Sequence, residues 1–459
     1  MSKTPLYICS KCDAQFPKWA GRCTACGGWG TVGQGEELGD VGAHGNAPNR
    51  GKGGSPSAPT ISFAETAKIS HATLNPTGIS ALDEVLGGGL VDGSVTLVAG
   101  EPGIGKSTLL AQLGLTLAAS GKTVLYVTGE ESPSQIKRRL DRLCSSIPTS
   151  FHFLDHTDAD VIAATIEKNK PSLTIVDSIQ SLRCAEMSGE AGSVGQVKAC
   201  AATITGAAKV SHAPVILVGQ VTKDGDVAGP RVLEHVVDTV LFLEGDSQHR
   251  YRLLRALKHR FGPTDEVALF TMTERGLTAV EDASSELLRD RAHGVSGSSV
   301  TCLLEGHRPM LLEIQALVSP AGYGTPVRRG TGVDTTRLGM LLAVLARRAG
   351  LSALEKDIYA NAAGGIDARD PSVDLAICAA IASALKDAPL DPRLALFGEV
   401  GLGGELRPVG LPESRLKEMA RLGFTTAIVP KGQGKLAPRG MEVKEAASLK
   451  EAFTILRIV

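Results

Sequence analysis

GEPGIGKST, residues 100–108, reads Gly100-x4-Gly105-Lys106-Ser107 and lies between the apolar run SVTLVAG (94–100) and the helical pattern TLLAQLGLTL (108–117). Glycines at a strand-to-helix turn let backbone N–H groups point inward around phosphates. The stretch Gly100, Glu101, Pro102, Gly103, Ile104, Gly105, Lys106, Ser107 and Thr108 is therefore read as a nucleotide cradle. Lys106 is expected to meet the β and γ oxygens and the Ser107 hydroxyl to ligate Mg2+, so ATP and Mg2+ are the expected cofactors.

Such a loop needs a second acidic contact to the metal at the end of a neighbouring strand, and LTIVDS (173–178) supplies Asp177. Hydrolysis also needs a group that orients or deprotonates water. TVLYVTGEES (123–132) ends its strand with Glu130, the preferred residue, and Glu131, its alternative. With PVILVGQ (214–220), these unbroken apolar runs alternate with amphipathic segments. That texture predicts an α/β fold whose parallel sheet is covered on both faces.

A second α/β region is predicted beyond about residue 285, from SSVTCLLEG (298–306), RLGMLLAVLARRAG (337–350) and VDLAICAAIASALKDA (373–388). Upstream, Cys9, Cys12, Cys23 and Cys26 form C-x2-C-x10-C-x2-C. Two such knuckles close on one tetrahedral ion, and Zn2+ in a small ribbon is expected, with Trp19 and Trp29 nearby. The stretch GAHGNAPNRGKGGSPSAP (42–59) cannot bury enough apolar surface to order itself and reads as a tether. The expected division is a C4 zinc finger at 1–32, a linker at 33–65, an ATPase domain at 66–280 and a second domain at 281–459.

The 459 residues carry a formal net charge of −1, with 43% apolar and 21% charged residues. No global field advertises nucleic acid, so any such surface must be local. No apolar run reaches membrane-spanning length. MSKTPLYICSKC has no apolar core of a signal peptide, and cytoplasm is the expected location.

LKHRFGPTDE (257–266) concentrates Lys258, His259 and Arg260 far from Lys106 in the chain. Charge developing on a transferred phosphoryl group benefits from a further cation, which need not come from the same chain. Lys258 and Arg260 alternate on a strand-like segment and are candidates for that role; a solvated basic turn and a contact to DNA phosphates are the other readings.

TGISALDEVLGGGL (77–90), the GEPGIGKST loop, the carboxylates after the next strand and LTIVDS together resemble the core of the RecA-like ATPases, over about 75–275. The zinc module, GQVTKDG (219–225), KHRFG (258–262) and a tail resembling the Lon protease domain are together similar to the RadA (Sms) family of bacterial DNA repair proteins, over essentially the whole chain. The family segment is KNRFG, with His259 the departure here. The resemblance implies a DNA-dependent ATPase of recombinational repair that acts with the RecA recombinase. It would bind single-stranded and branched DNA and drive branch migration, helicase-like, as a hexameric ring with nucleotide between subunits. It further implies that Gln220 reports γ-phosphate occupancy, while KHRFGPTDE (258–266) also resembles the Lys-x-Arg element of replicative ring helicases, which implies that Lys258 and Arg260 act in trans. Mobile loops at 186–198 and 220–231 would line the channel, with Lys198, Lys223 and Arg231 tracking the DNA backbone.

In the Lon-like tail, IDARDPSVDLAICAAIASAL (366–385) places Ser372 where that family has its nucleophile. The partner lysine is expected after FGEVGLGGELRPVG (397–410), but Glu413 stands there, Lys417 comes four residues late, and Asp374 replaces a small residue. A carboxylate cannot take the place of the amine. The tail is therefore expected to be structural, with Arg328, Arg329 and Arg337 as candidates for added DNA contact. A Lon-type serine peptidase and a non-translocating, KaiC-like ATPase are the rival readings.

Overall fold

A computed structural model describes residues 7–9, 15–16, 32–34 and 73–459, apart from 221–229, 246–249, 323–324, 354 and 459. The chain separates into two units, Met1–Ile69 and Ser70–Val459. In the first, Tyr7–Cys9 pairs antiparallel with both Gln15–Phe16 and Val32–Gln34, and Cys9 is buried against Val32. Cys12, Cys23 and Cys26 lie outside the described residues.

The second unit is built on the predicted apolar runs. They form β1 (Val95–Gly100), β2 (Val124–Thr128), β4 (Leu173–Asp177) and β5 (Val215–Gln220), with β3 (Phe151–Asp155) and β6 (Thr239–Glu244) between and beyond them. An antiparallel extension follows: β7 (Tyr251–His259), β8 (Val267–Thr273) and β9 (Gly276–Ala279). The nine-stranded sheet runs β9-β8-β7-β6-β1-β5-β4-β2-β3, parallel from β6 to β3. β1 lies at its centre and every residue of it is buried.

Helices α1 (Lys106–Ala119) and α2 (Pro133–Leu143) cover one face, and α3 (Ala159–Asn169) and α4 (Val194–Ser211) cover the other. Each buried Leu or Ile in these layers contributes roughly 1.5–3 kcal/mol. That covering explains why the strands read as unbroken apolar runs.

In the tail, β10 (Ser298–Glu305), β11 (Arg308–Pro320), β12 (Arg328–Thr331) and β13 (Lys356–Ala362) form a sheet in the order β10-β11-β13-β12. Helix α5 (Thr335–Arg348) packs there together with α6 (Asp374–Lys386), which is buried from Asp374 through Ser383. Leu253, Val267 and Leu269 of the first sheet belong to the same apolar cluster as α5 and α6, so the two α/β regions share a continuous core.

Candidate functional site

β1 delivers the glycine loop at the carboxyl end of the parallel strands, the usual place for a ligand in such sheets. Gly105 caps α1 with φ +118, and a Cβ there would lie 2.7 Å from Met272 Cε. That φ favours glycine, and any Cβ would also have to displace the end of the Met272 side chain. The loop is braced by Arg252 of β7, which is buried and donates from Nε to the Ile104 carbonyl at 3.1 Å.

Lys106 is also buried, and its Nζ donates to the Gly100 and Glu101 carbonyls, both at 2.8 Å. Burial pulls its pKa below the usual lysine value, opposed by the charges of Asp177 and Glu101. Ser107 follows it in the first turn of α1. A glycine cradle, a buried ammonium and a facing carboxylate fit a Mg2+–triphosphate.

Asp177 ends β4 and is level with Thr128 of β2. Its Oδ2 accepts from the Tyr126 hydroxyl at 2.6 Å. Burial, then the Asp177 charge, raise the Tyr126 pKa well above the ordinary phenol value, so it stays a donor. The two glutamates diverge. Glu130 accepts a 2.5 Å bond from the hydroxyl of Ser178, the residue after Asp177. Glu131 is tied to Arg139 of α2 in an ion pair. Glu130 is thus anchored to the turn that follows Asp177, whereas Glu131 is occupied by Arg139.

Gln220 is exposed at the end of β5, level with Gly100, and its carbonyl accepts from Gln180 Nε2 at 3.4 Å. The expected loop at 186–198 differs from the structure. Lys198 lies on α4, exposed, and the preceding residues 186–193 are strapped by the buried Gln196, whose amide reaches Cys184, Met187 and Gly189. Residues 186–193 remain a loop, held at its base by the Gln196 amide, and only 194–198 of the expected stretch are helical. Lys223 lies outside the described residues. Arg231 falls in the short helix Pro230–Leu233, and its side chain is likewise outside them.

The KHRFG segment sits at the far end of the sheet. Val240 pairs with Lys258, while Leu243, level with Gly100, pairs with Leu254. Three positions of β6, roughly 10 Å, therefore separate the level of Lys258 from that of its own glycine loop, a bulge in β7 taking up the extra residue. Lys258 donates to the carbonyls of Glu234 and, at 2.7 Å, Val237, and burial and then Arg260 lower its pKa. Arg260 donates to Asp238 Oδ1 at 3.0 Å with half its side chain exposed. His259 is buried between Thr239 Oγ1 (2.9 Å) and the Leu86 carbonyl (3.1 Å). The family departure therefore falls on a packing position.

The tail corrects one expectation. The side chain that meets Ser372 is Arg415, not Glu413. Leu411, with φ +49, starts the helix Pro412–Arg421 in a phase that turns Arg415 inward, 2% exposed. Arg415 Nη1 donates to Ser372 Oγ at 2.8 Å and to the Cys302 carbonyl, and its Nη2 pairs with Asp370 at 2.9 Å. Glu413 is exposed and pairs with Lys417 at 2.7 Å. A guanidinium cannot accept the serine proton. Arg337, a candidate DNA contact, is instead committed to a fork on the buried Asp374. Arg329 is exposed and Arg328 half-buried on β12.

Arg415→Ala is expected to cost about 3–5 kcal/mol, because it leaves Asp370 as a partly buried, uncompensated charge. Arg415→Lys, which keeps the charge and loses the fork, should fall between. Urea midpoints read both, and an unshifted midpoint for Arg415→Ala contradicts the assignment.

Three family models match the chain: an AAA domain over residues 64–226, a rubredoxin metal binding domain over 7–34, and the Lon protease (S16) C-terminal proteolytic domain over 353–454. The DNA repair protein RadA of Bacillus subtilis (strain 168) is 43% identical, covering 99% of each chain. That of Pseudomonas aeruginosa is also 43% identical, covering 98% of each. The crystal structure of the RadB recombinase aligns with 46% of this chain and 100% of its own, at 27% identity and a TM-score of 0.35.

Proposed function

The chain belongs to the RadA family of DNA repair proteins and is an ATP-hydrolysing enzyme, and from that premise we propose that it is a DNA-dependent motor of recombinational repair. It loads on single-stranded and branched DNA in the cytoplasm after damage. There it drives helicase-like branch migration and strand extension of recombination intermediates beside the RecA recombinase. It works as a hexameric ring with nucleotide held between protomers.

The observation that carries this reading is the position of Lys258 and Arg260. Pinned by Glu234, Val237 and Asp238, they stand at the opposite end of the sheet from their own glycine loop. Cations held at the end of the sheet away from their own glycine loop are suited to approach a neighbour's nucleotide.

Within each site Gly100–Thr108 and Lys106 bind the phosphates, Glu130 orients and deprotonates water, and Gln220 senses the γ-phosphate. Ser107 and Asp177 would hold Mg2+, which when bound withdraws charge from the phosphoryl oxygens. Lys198, Lys223 and Arg231 follow the DNA backbone without reading sequence. Cys9, Cys12, Cys23 and Cys26 would hold a structural Zn2+ in a finger at 1–32, joined through a linker at 33–65 to the ATPase domain at 66–280. The Lon-like part at 281–459 is non-proteolytic, because Ser372 faces an arginine.

ATP turnover with and without single-stranded DNA tests the motor. Clear stimulation is expected, together with a DNA affinity that falls steeply with salt and less steeply in a Lys198→Ala/Lys223→Ala/Arg231→Ala variant. Turnover indifferent to DNA would favour the KaiC-like reading instead.

A further inference from the structure

We propose that Arg139 is a positioning residue of the phosphate site: it neutralises Glu131 and keeps that carboxylate from adding a further free anion to Asp177 and Glu130. The inference deepens the reading of that site and rests on it.

α2 starts directly after the glutamates, with Ser132 and Gln135 forming a capping box, and Ile136 and Leu140 dock it on the core. That phase turns Arg139 back over the carboxyl ends of β2 and β4. Its Nη2 pairs with Glu131 Oε1, and its Nη1 lies 3.9 Å from Asp177 Oδ2. Arg139 Nη1 and Glu131 Oε2 are both buried without a hydrogen-bond partner. The guanidinium thus lies between two carboxylates.

Glu130, Glu131 and Asp177 would place three negative charges where a polyphosphate must enter. Lys106 and Arg139 are the cations that offset them. Without Arg139, Glu131, a third exposed, is an unpaired anion beside Asp177 and repels the incoming phosphates.

The test is equilibrium binding of a fluorescent ADP to the full chain, so that turnover plays no part. Arg139→Gln is expected to weaken binding about ten-fold, and adding Glu131→Gln to return it to within about three-fold of wild type, since contacting residues couple. Arg139→Lys, which keeps the charge, should stay within about three-fold. If the double variant binds no better than Arg139→Gln, or Arg139→Gln binds like wild type, the proposal fails. Should Arg139→Gln not fold, a ten-fold loss in Arg139→Lys overturns it as well. Lys106→Ala serves as the separate check: wild-type binding by that variant would sink the phosphate-site reading itself, whatever the Arg139 cycle gives.

Discussion

Replacing Lys106 by alanine is expected to lower ATP turnover by about a thousand-fold or more, some 4 kcal/mol of transition-state stabilisation. The ammonium is buried at the mouth of α1 and held by the Gly100 and Glu101 carbonyls, so the site pre-positions a charge rather than recruiting one from solvent. Alanine removes that charge and leaves the glycine turn intact. Turnover should collapse while the thermal midpoint moves by only a few degrees. Activity within ten-fold of wild type would mean that phosphate is handled elsewhere.

Glu130→Gln should lower kcat by roughly 10²–10⁴-fold, the range for loss of a positioned base, with nucleotide binding retained. Glu131→Gln should lose much less. The distinction is geometric, because both residues follow the same strand. Ser178 holds Glu130 against the turn that carries Asp177, and Arg139 occupies Glu131. Single-turnover measurements separate chemistry from product release, and the reverse ranking of the two variants would contradict the assignment.

The parallel half of the sheet is legible because strands covered on both faces must be apolar throughout, as in SVTLVAG and PVILVGQ. FHFLD (151–155) escapes that reading because β3 is an edge strand, half-buried and mixed in polarity. The β7–β9 extension alternates with its antiparallel partners and carries Arg252, Arg255 and Lys258, so it does not read as core.

The glycine loop, Asp177 and Glu130 are legible from spacing because each sits at a strand end. Arg139 is not. It belongs to KRRLDR (137–142), a charge run that by itself describes a solvated face; only the helix phase set by Ile136 and Leu140 turns one of its cations inward. Arg415 was hidden for the same reason. Counting along the chain from RPVG arrives at Glu413, whereas the left-handed turn at Leu411 rotates Arg415 toward Ser372. Gln196, which straps a loop expected to be mobile, carries no sequence signal beyond its own identity.

Hydrolysis is proposed to occur between protomers, with Lys106 and Glu130 from one chain and Lys258 and Arg260 from the next. Mixing Lys106→Ala with Arg260→Ala, each expected to be inactive alone, tests the shared site. In mixed assemblies some junctions regain an intact glycine loop from one variant and an intact Arg260 from the other. Turnover is predicted to rise with mixing ratio to a maximum near equal amounts; no recovery at any ratio would contradict a shared site.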